Sequence, residues 1–145
     1  MDIDQIAARE QIRDLVSRYN ANGDTGRFAK VRELFCPDAV MRIGPDRVYT
    51  GVDEIMTVFT GASDNTSSVG GPSYVRHFTA THQIDLVDAD NAAGRLYFAV
   101  LTDVGLDHWG VYMDTYRRHE GRWLFASRKV TVDGRSPNSL FPRVG

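Results

Sequence analysis

Tyr19 and Asp24, separated by four residues, close the first amphipathic segment of this chain, and His77 stands at the start of its first long alternating segment. An acid from a helix end and an imidazole from a sheet, meeting in an apolar surround, make a proton-transfer site. A neutral imidazole, with an ordinary pKa near 6.5, is matched to taking a proton at neutral pH. A carboxylate that accepts from one ring nitrogen fixes the tautomer and favours the imidazolium that forms. The same two residues also have a structural reading, in which Asp24 caps the next helix and His77 bonds a backbone carbonyl. Sequence alone leaves both open.

Parity complicates His77. Phe78, Ala80, His82, Ile84 and Leu86 alternate on what reads as the core face, which puts His77 on the other side with Thr79 and Thr81. Either a β-bulge after His77 flips the register, the preferred reading, or His82 is the inward imidazole. Asp103 shares a face with Tyr97 and Leu101. Arg128 alternates with Leu124, Ala126 and Val130, so its guanidinium lies on an apolar face and needs a partner. That partner is Asp103 or Asp114 in a structural pair, or a substrate oxygen. Tyr19 reads as core or as a hydroxyl donor to substrate. Trp109, with Phe35, Phe59, Phe98, Tyr112 and Met113, supplies apolar surface for the core, a dimer contact or the lining of a flat-ring site. The spacing of His77, His82, His108 and His119 fits no metal site. No phosphate loop, nucleophile elbow or dinucleotide fingerprint is present, and no cofactor is called for.

The elements that must position these residues follow from periodicity. Ile12, Leu15, Val16 and Tyr19 mark one face of a first helix that ends at Asn22-Gly23-Asp24. Asp24 or Thr25 caps a second, burying Phe28, Val31, Leu34 and Phe35, which Pro37 stops. A hairpin follows (Ala39 to Ile43, then Val48 to Thr50), and Asp53 and Glu54 open a third helix that buries Ile55, Val58 and Phe59. Residues 61–73 are rich in Gly, Ser, Asn and Thr and read as a mobile loop. From Tyr74 the period becomes two, with strands at about 75–87, 92–104, 109–119 and 122–132. Their short connections make neighbours antiparallel. Residues 133–145 form a tail in which Leu140 and Phe141 are apolar enough to dock. Three helices followed by a long-stranded, bent sheet make one α+β domain over 1–145, with the helices on the concave face and a cavity where the cone is left unfilled.

Composition bounds the partners. With 42% hydrophobic and 25% charged residues and a net charge of -2, the chain offers no basic groove for nucleic acid and no attraction to an anionic membrane. Cys36 is the single cysteine, so no intrachain disulfide forms. No apolar run is long enough to span a membrane, and the acidic start is unlike a signal peptide. These features predict a cytoplasmic protein.

Tyr19 with Asp24, Leu34-Phe35-Cys36-Pro37-Asp38-Ala39, Gly51 with Ile55, Arg76-His77-Phe78, Tyr112 with Asp114, and Gly121-Arg122-Trp123 together resemble the SnoaL-like branch of the NTF2-like superfamily. That branch includes scytalone and bile-acid dehydratases, lindane dehydrochlorinase, ketosteroid isomerase relatives and polyketide cyclases. The resemblance implies an NTF2-like cone of three helices packed in a strongly curved antiparallel or mixed sheet. It implies a catalytic dyad of Asp24 and His77, with Tyr19 lining the pocket and Asp103 and Arg128 at polar pocket positions. Arg95-Leu96-Tyr97 breaks the Arg-x-Asp pattern of epoxide-hydrolase relatives. The expected activity is that of a cofactor-independent lyase or isomerase acting on a small apolar cyclic molecule, in a homodimer or higher homo-oligomer. The alternative is a non-catalytic ligand-binding or accessory subunit of the same fold.

Overall fold

The computed structural model describes residues 1–67 and 71–141. Helix α1 (Ile3–Gly23) starts from a reciprocal cap: Gln5 N–H donates to the Asp2 carboxylate, and Asp2 N–H donates to the Gln5 side chain. Its buried stripe is Ile12, Leu15, Val16, Tyr19 and Asn20, the spacing of one helical face. Helix α2 (Phe28–Arg32) is shorter than the sequence predicts and has no side-chain cap. Phe35 already belongs to strand β1 (Phe35–Ile43). Pro37, expected to end a helix, instead falls where the β1 register breaks between Phe35 and Val40, a place that tolerates its missing N–H. Strand β2 (Arg47–Thr50) completes the hairpin.

Helix α3 (Val52–Ser67) runs further than expected. The predicted mobile loop over 61–73 is therefore corrected for its first part, which continues the helix. An established helix extends residue by residue at little cost, and no proline intervenes before Pro72. Residues 68–70 of that predicted loop lie outside the described residues.

Strands β3 (Arg76–Leu86), β4 (Asn91–Thr102), β5 (Gly105–His119) and β6 (Arg122–Arg135) form a meander. The six strands make one curved, unclosed sheet in the order β2-β1-β6-β5-β4-β3. All neighbours are antiparallel except β1 and β6, which run parallel. The helices lie against one face: α1 touches β3 and β6, and α3 touches β1 and β2. Arg9 ties α1 to the sheet by donating to the Ile84 carbonyl at 2.6 Å.

Leu96, Phe98, Val100 and Thr102 of β4 and Tyr112, Asp114 and Tyr116 of β5 point into the core, where they meet Tyr19, Phe35 and Phe125. Strand β3 contains the expected irregularity. Its pairing with β4 slips between Ala80 and Gln83, and Thr81 takes a left-handed φ of 58°. The extra residue reverses the parity. Phe78 is thereby 58% exposed, while His77 before the bulge and His82 after it are both partly buried.

Candidate functional site

Asp24 is the residue at which α1 ends. Its backbone N–H closes the helix on the Asn20 carbonyl, and the chain turns away through Gly26 at φ 73°. The Phe59 ring of α3 lies beside Gly23, near enough that a Cβ there would meet it in ordinary contact. The Asp24 carboxylate is thus free of capping duty and reaches across to β3. One oxygen accepts the His77 backbone N–H at 2.8 Å, and the other lies 2.6 Å from His77 Nδ1. Two bonds to one residue fix the carboxylate in both position and angle. With Nδ1–H donating to Asp24, the imidazole leaves Nε2 as its free basic atom. The His77 side chain retains 21% of its exposure and that of Asp24 9%, so the pair is sheltered yet open on one side.

The open side is a cavity of about 230 Å³. It is walled by Tyr19, Phe28, Val58, Phe59, Val75 and Phe141, with Asn20, Asp24 and His77 as its polar side chains. Tyr19 is part of this lining, and burial raises its phenol above the ordinary value, so it stays protonated. Asn20, nearly buried on the α1 stripe, carries an amide toward the same space. No pattern in the sequence marks it, because one polar residue in an apolar stripe reads as an interruption. Phe28, Val58 and Phe59 were legible as core, and Val75 and Phe141 only as apolar residues at strand and tail.

The other predicted site residues lie elsewhere. Arg128 is fully buried and paired with Asp114, Nε donating at 2.7 Å and Nη2 at 2.8 Å. Burial alone would lower its pKa, but Asp114 outweighs that and keeps the guanidinium charged. Its carbon centre sits 3.9 Å from the Tyr112 ring, 4.3 Å from Tyr19 and 4.5 Å from Phe125. The rings offer π faces to the cation, and Nη1 has no hydrogen-bond partner among the described residues. Arg128 therefore supports the Tyr19 wall from behind. His82 faces inward, but onto Tyr116: its Nε2 lies 3.0 Å from the Tyr116 hydroxyl, which itself donates to Asp114 at 2.7 Å. Burial pushes the His82 imidazole below its ordinary pKa.

Asp103 is exposed beside the β4–β5 turn, where the Ser73 N–H donates to it at 2.9 Å, and it does not reach the cavity. Trp109 is 37% exposed on the outer face of the sheet, so it does not line the cavity either. The face that Asp103 was read as sharing with Tyr97 and Leu101 points outward, and Trp109 lies on it too. Among the described residues no group of three His, Cys, Asp or Glu side chains could hold a metal ion. No helix among them is long and apolar enough to cross a membrane.

Three helices laid on the concave face of a curved, unclosed mixed sheet, with a cavity at the open end, define the NTF2-like or cystatin-like class of α+β folds. Within that class, a family model for the SnoaL-like domain matches residues 4–129, and the chain belongs to this family. Similar solved structures include a scytalone dehydratase-like protein of Novosphingobium aromaticivorans, with TM-score 0.83 and 18% identity over 94% of this chain and 91% of that one. LinA superimposes with TM-score 0.81 at 20% identity, covering 98% of each chain. The hexachlorocyclohexane dehydrochlorinase LinA-type3 of Novosphingobium barchaimii does so at 0.79 and 19%, covering 94% of each. At these identities the likeness is one of fold. Comparison with curated proteins gives no match.

Proposed function

We propose that this protein is a cofactor-independent proton-transfer enzyme, a lyase or isomerase of dehydratase type, acting on a small, largely apolar cyclic molecule. The observation that carries the reading is the pair of hydrogen bonds from His77 to Asp24 at the edge of an apolar cavity. In this reading Nε2 of His77 takes a proton from a carbon next to an activating group. The Asp24 carboxylate holds the tautomer and stabilises the imidazolium as it forms. Asn20 and Tyr19 are the groups within the same lining that meet the departing or developing oxygen. The named activities of two structural neighbours, dehydration and dehydrochlorination, are eliminations that begin with such a step, which supports the class but not a substrate. A second copy of the chain is the partner proposed for the outer sheet face, where Phe78, Tyr97, Trp109 and Met113 leave apolar surface in water.

Elimination, double-bond migration and ring closure share carbon deprotonation, so exchange of substrate C–H for deuterium in heavy water reads all three. A panel of cyclic ketones and β-hydroxy ketones is expected to contain at least one compound that exchanges with the wild type. Removing the base in His77→Ala should slow that exchange by about 10²–10⁴-fold. Asp24→Asn should slow it too and erase the downfield Nδ1–H proton resonance of His77. Equal exchange in all three proteins would sink the proton-transfer reading and leave a ligand-binding or accessory module.

A further inference from the structure

A second buried carboxylate lies at the other end of the same sheet face. Asp107 is the unpaired residue of a bulge in β5: Leu106 pairs with Leu101 and His108 with Val100, so Asp107 has no partner of its own on β4. It is fully buried. Its oxygens receive the Thr102 hydroxyl at 2.9 Å, His108 Nδ1 at 2.7 Å, the Ser139 hydroxyl at 2.5 Å and the Leu140 N–H at 2.8 Å. Its backbone carbonyl accepts the Ser136 N–H at 2.8 Å. A charge taken out of water needs such partners, and three of these five bonds come from the segment that follows β6.

That segment has no strand or helix of its own, and its sequence, Ser136-Pro137-Asn138-Ser139-Leu140-Phe141, offers two apolar side chains. Asp107 therefore supplies most of what locates it. Arg135 adds bonds to the Ser139 hydroxyl at 2.9 Å and to the Phe141 carbonyl. Held this way, the Phe141 ring packs 4.8 Å from the His108 ring, centroid to centroid, and forms part of the cavity wall opposite α1. His108 is itself backed by Phe98. His77 and His108 both pair with Val100, one from each side, so the two imidazoles share one cross-strand row.

We propose that Phe141 sets the size limit of the ligand, and that Asp107, with His108 as backing, is the positioning residue that holds it there. An apolar cavity of about 150 Å³ accommodates benzene, whereas drug-sized ligands occupy pockets of roughly 300–1,000 Å³. At about 230 Å³ the cavity suits one substituted six-membered ring. A fused two-ring molecule reaches or exceeds that volume and crowds the Phe141 ring. The ligand class is thus single-ring, apolar and monosubstituted or lightly substituted. This inference rests on the cavity being a ligand site, as proposed above, and not on the chemistry of the dyad.

The test is a pair of probes, p-cresol and 2-naphthol, titrated into the full chain by calorimetry or by methyl chemical shifts. Wild type is expected to bind p-cresol at least tenfold more tightly than 2-naphthol. Phe141→Ala should raise 2-naphthol affinity at least tenfold while changing p-cresol less than threefold, and Phe141→Leu should fall between. Asp107→Asn should shift the preference in the same direction, and Ser139→Ala should do so more weakly, so that the anchor remains testable if Asp107→Asn does not fold. A purely structural role would weaken both probes together. An unchanged ratio in Phe141→Ala, or no binding of p-cresol to wild type, overturns the proposal. Proportional loss of both probes in the two anchor variants overturns the role of Asp107. Unchanged isotope exchange in His77→Ala bears on the dyad alone and leaves these ratios intact.

Discussion

Arg128 keeps its charge with its whole side chain out of water because three aromatic faces and a bidentate carboxylate replace the water it has lost. His82 and His108 are handled in the opposite way. Burial pushes both imidazoles below their ordinary pKa, in His108 despite the raising effect of Asp107. The native fold therefore favours the neutral rings, while the unfolded chain binds protons near pH 6.5. In that window the unfolded state holds more protons, so stability is complete above about pH 6.5 and declines as the pH falls. Asp107 adds a second, more acidic stage. Burial alone would raise its carboxyl, but the bonds from Ser139, Leu140, His108 and Thr102 hold it below the ordinary value, and their contribution is lost as the pH falls through it. Urea midpoints from pH 8 down to about pH 2 should show this two-stage decline, the second stage lying below the ordinary carboxylate range, and the double variant His82→Gln with His108→Gln should flatten the first stage. An unchanged first stage would mean that neither ring is buried neutral. At this scale the sequence disclosed the residue types of the Asp24–His77 pair and the need of Arg128 for a partner. It did not disclose Asn20 or Phe141 as lining, nor which side Asp103 and Trp109 face. Alternation assigns residues to a common face but not that face to water or core.

The elements differ in how openly they announce themselves. Strands β3 to β6 follow a period of two broken only by bulges, and begin and end within a few residues of the expected positions. Helix α2 is cut short because the pairing of Phe35 with Phe125 on β6 competes with its last turn, a contact some ninety positions away that no local window contains. The bulge in β3 was legible as a conflict of parity, since His77 falls off the apolar alternation of Phe78 to Leu86 and turns inward only with one residue to spare. That His82 faces inward as well was not legible. Thr81 occupies that spare position at φ 58°, a poor conformation for a β-branched side chain, costing on the order of 1 kcal/mol. Thr81→Asn, which tolerates this region better, should raise the unfolding free energy by up to about 1 kcal/mol and leave the His77 Nδ1–H resonance in place. A loss of stability on this substitution would show that Thr81 makes a contact that outweighs its strain.

As a whole, the molecule is joined at its middle by its last strand. The expectation of an α+β cone is met, but the parallel pairing of β1 with β6 was not readable, because the sequence shows strands and not their order in the sheet. That order has a consequence for how the chain comes into being. Until residues 122–135 are available, β1 with β2 and the β3–β4–β5 meander are two separate ribbons, each presenting an unpaired edge where β6 will lie. Asp24 and His77 are made early, yet the surface that holds them is continuous only once the C-terminal strand has threaded between older ones. Long-range closure of this kind slows folding and leaves partial chains prone to associate. A chain ending at His119 should show no cooperative unfolding transition and should self-associate on concentration, whereas the full chain refolds in a single slow phase. Synthesis itself thus withholds the continuous surface around Asp24 and His77 until β6 has emerged.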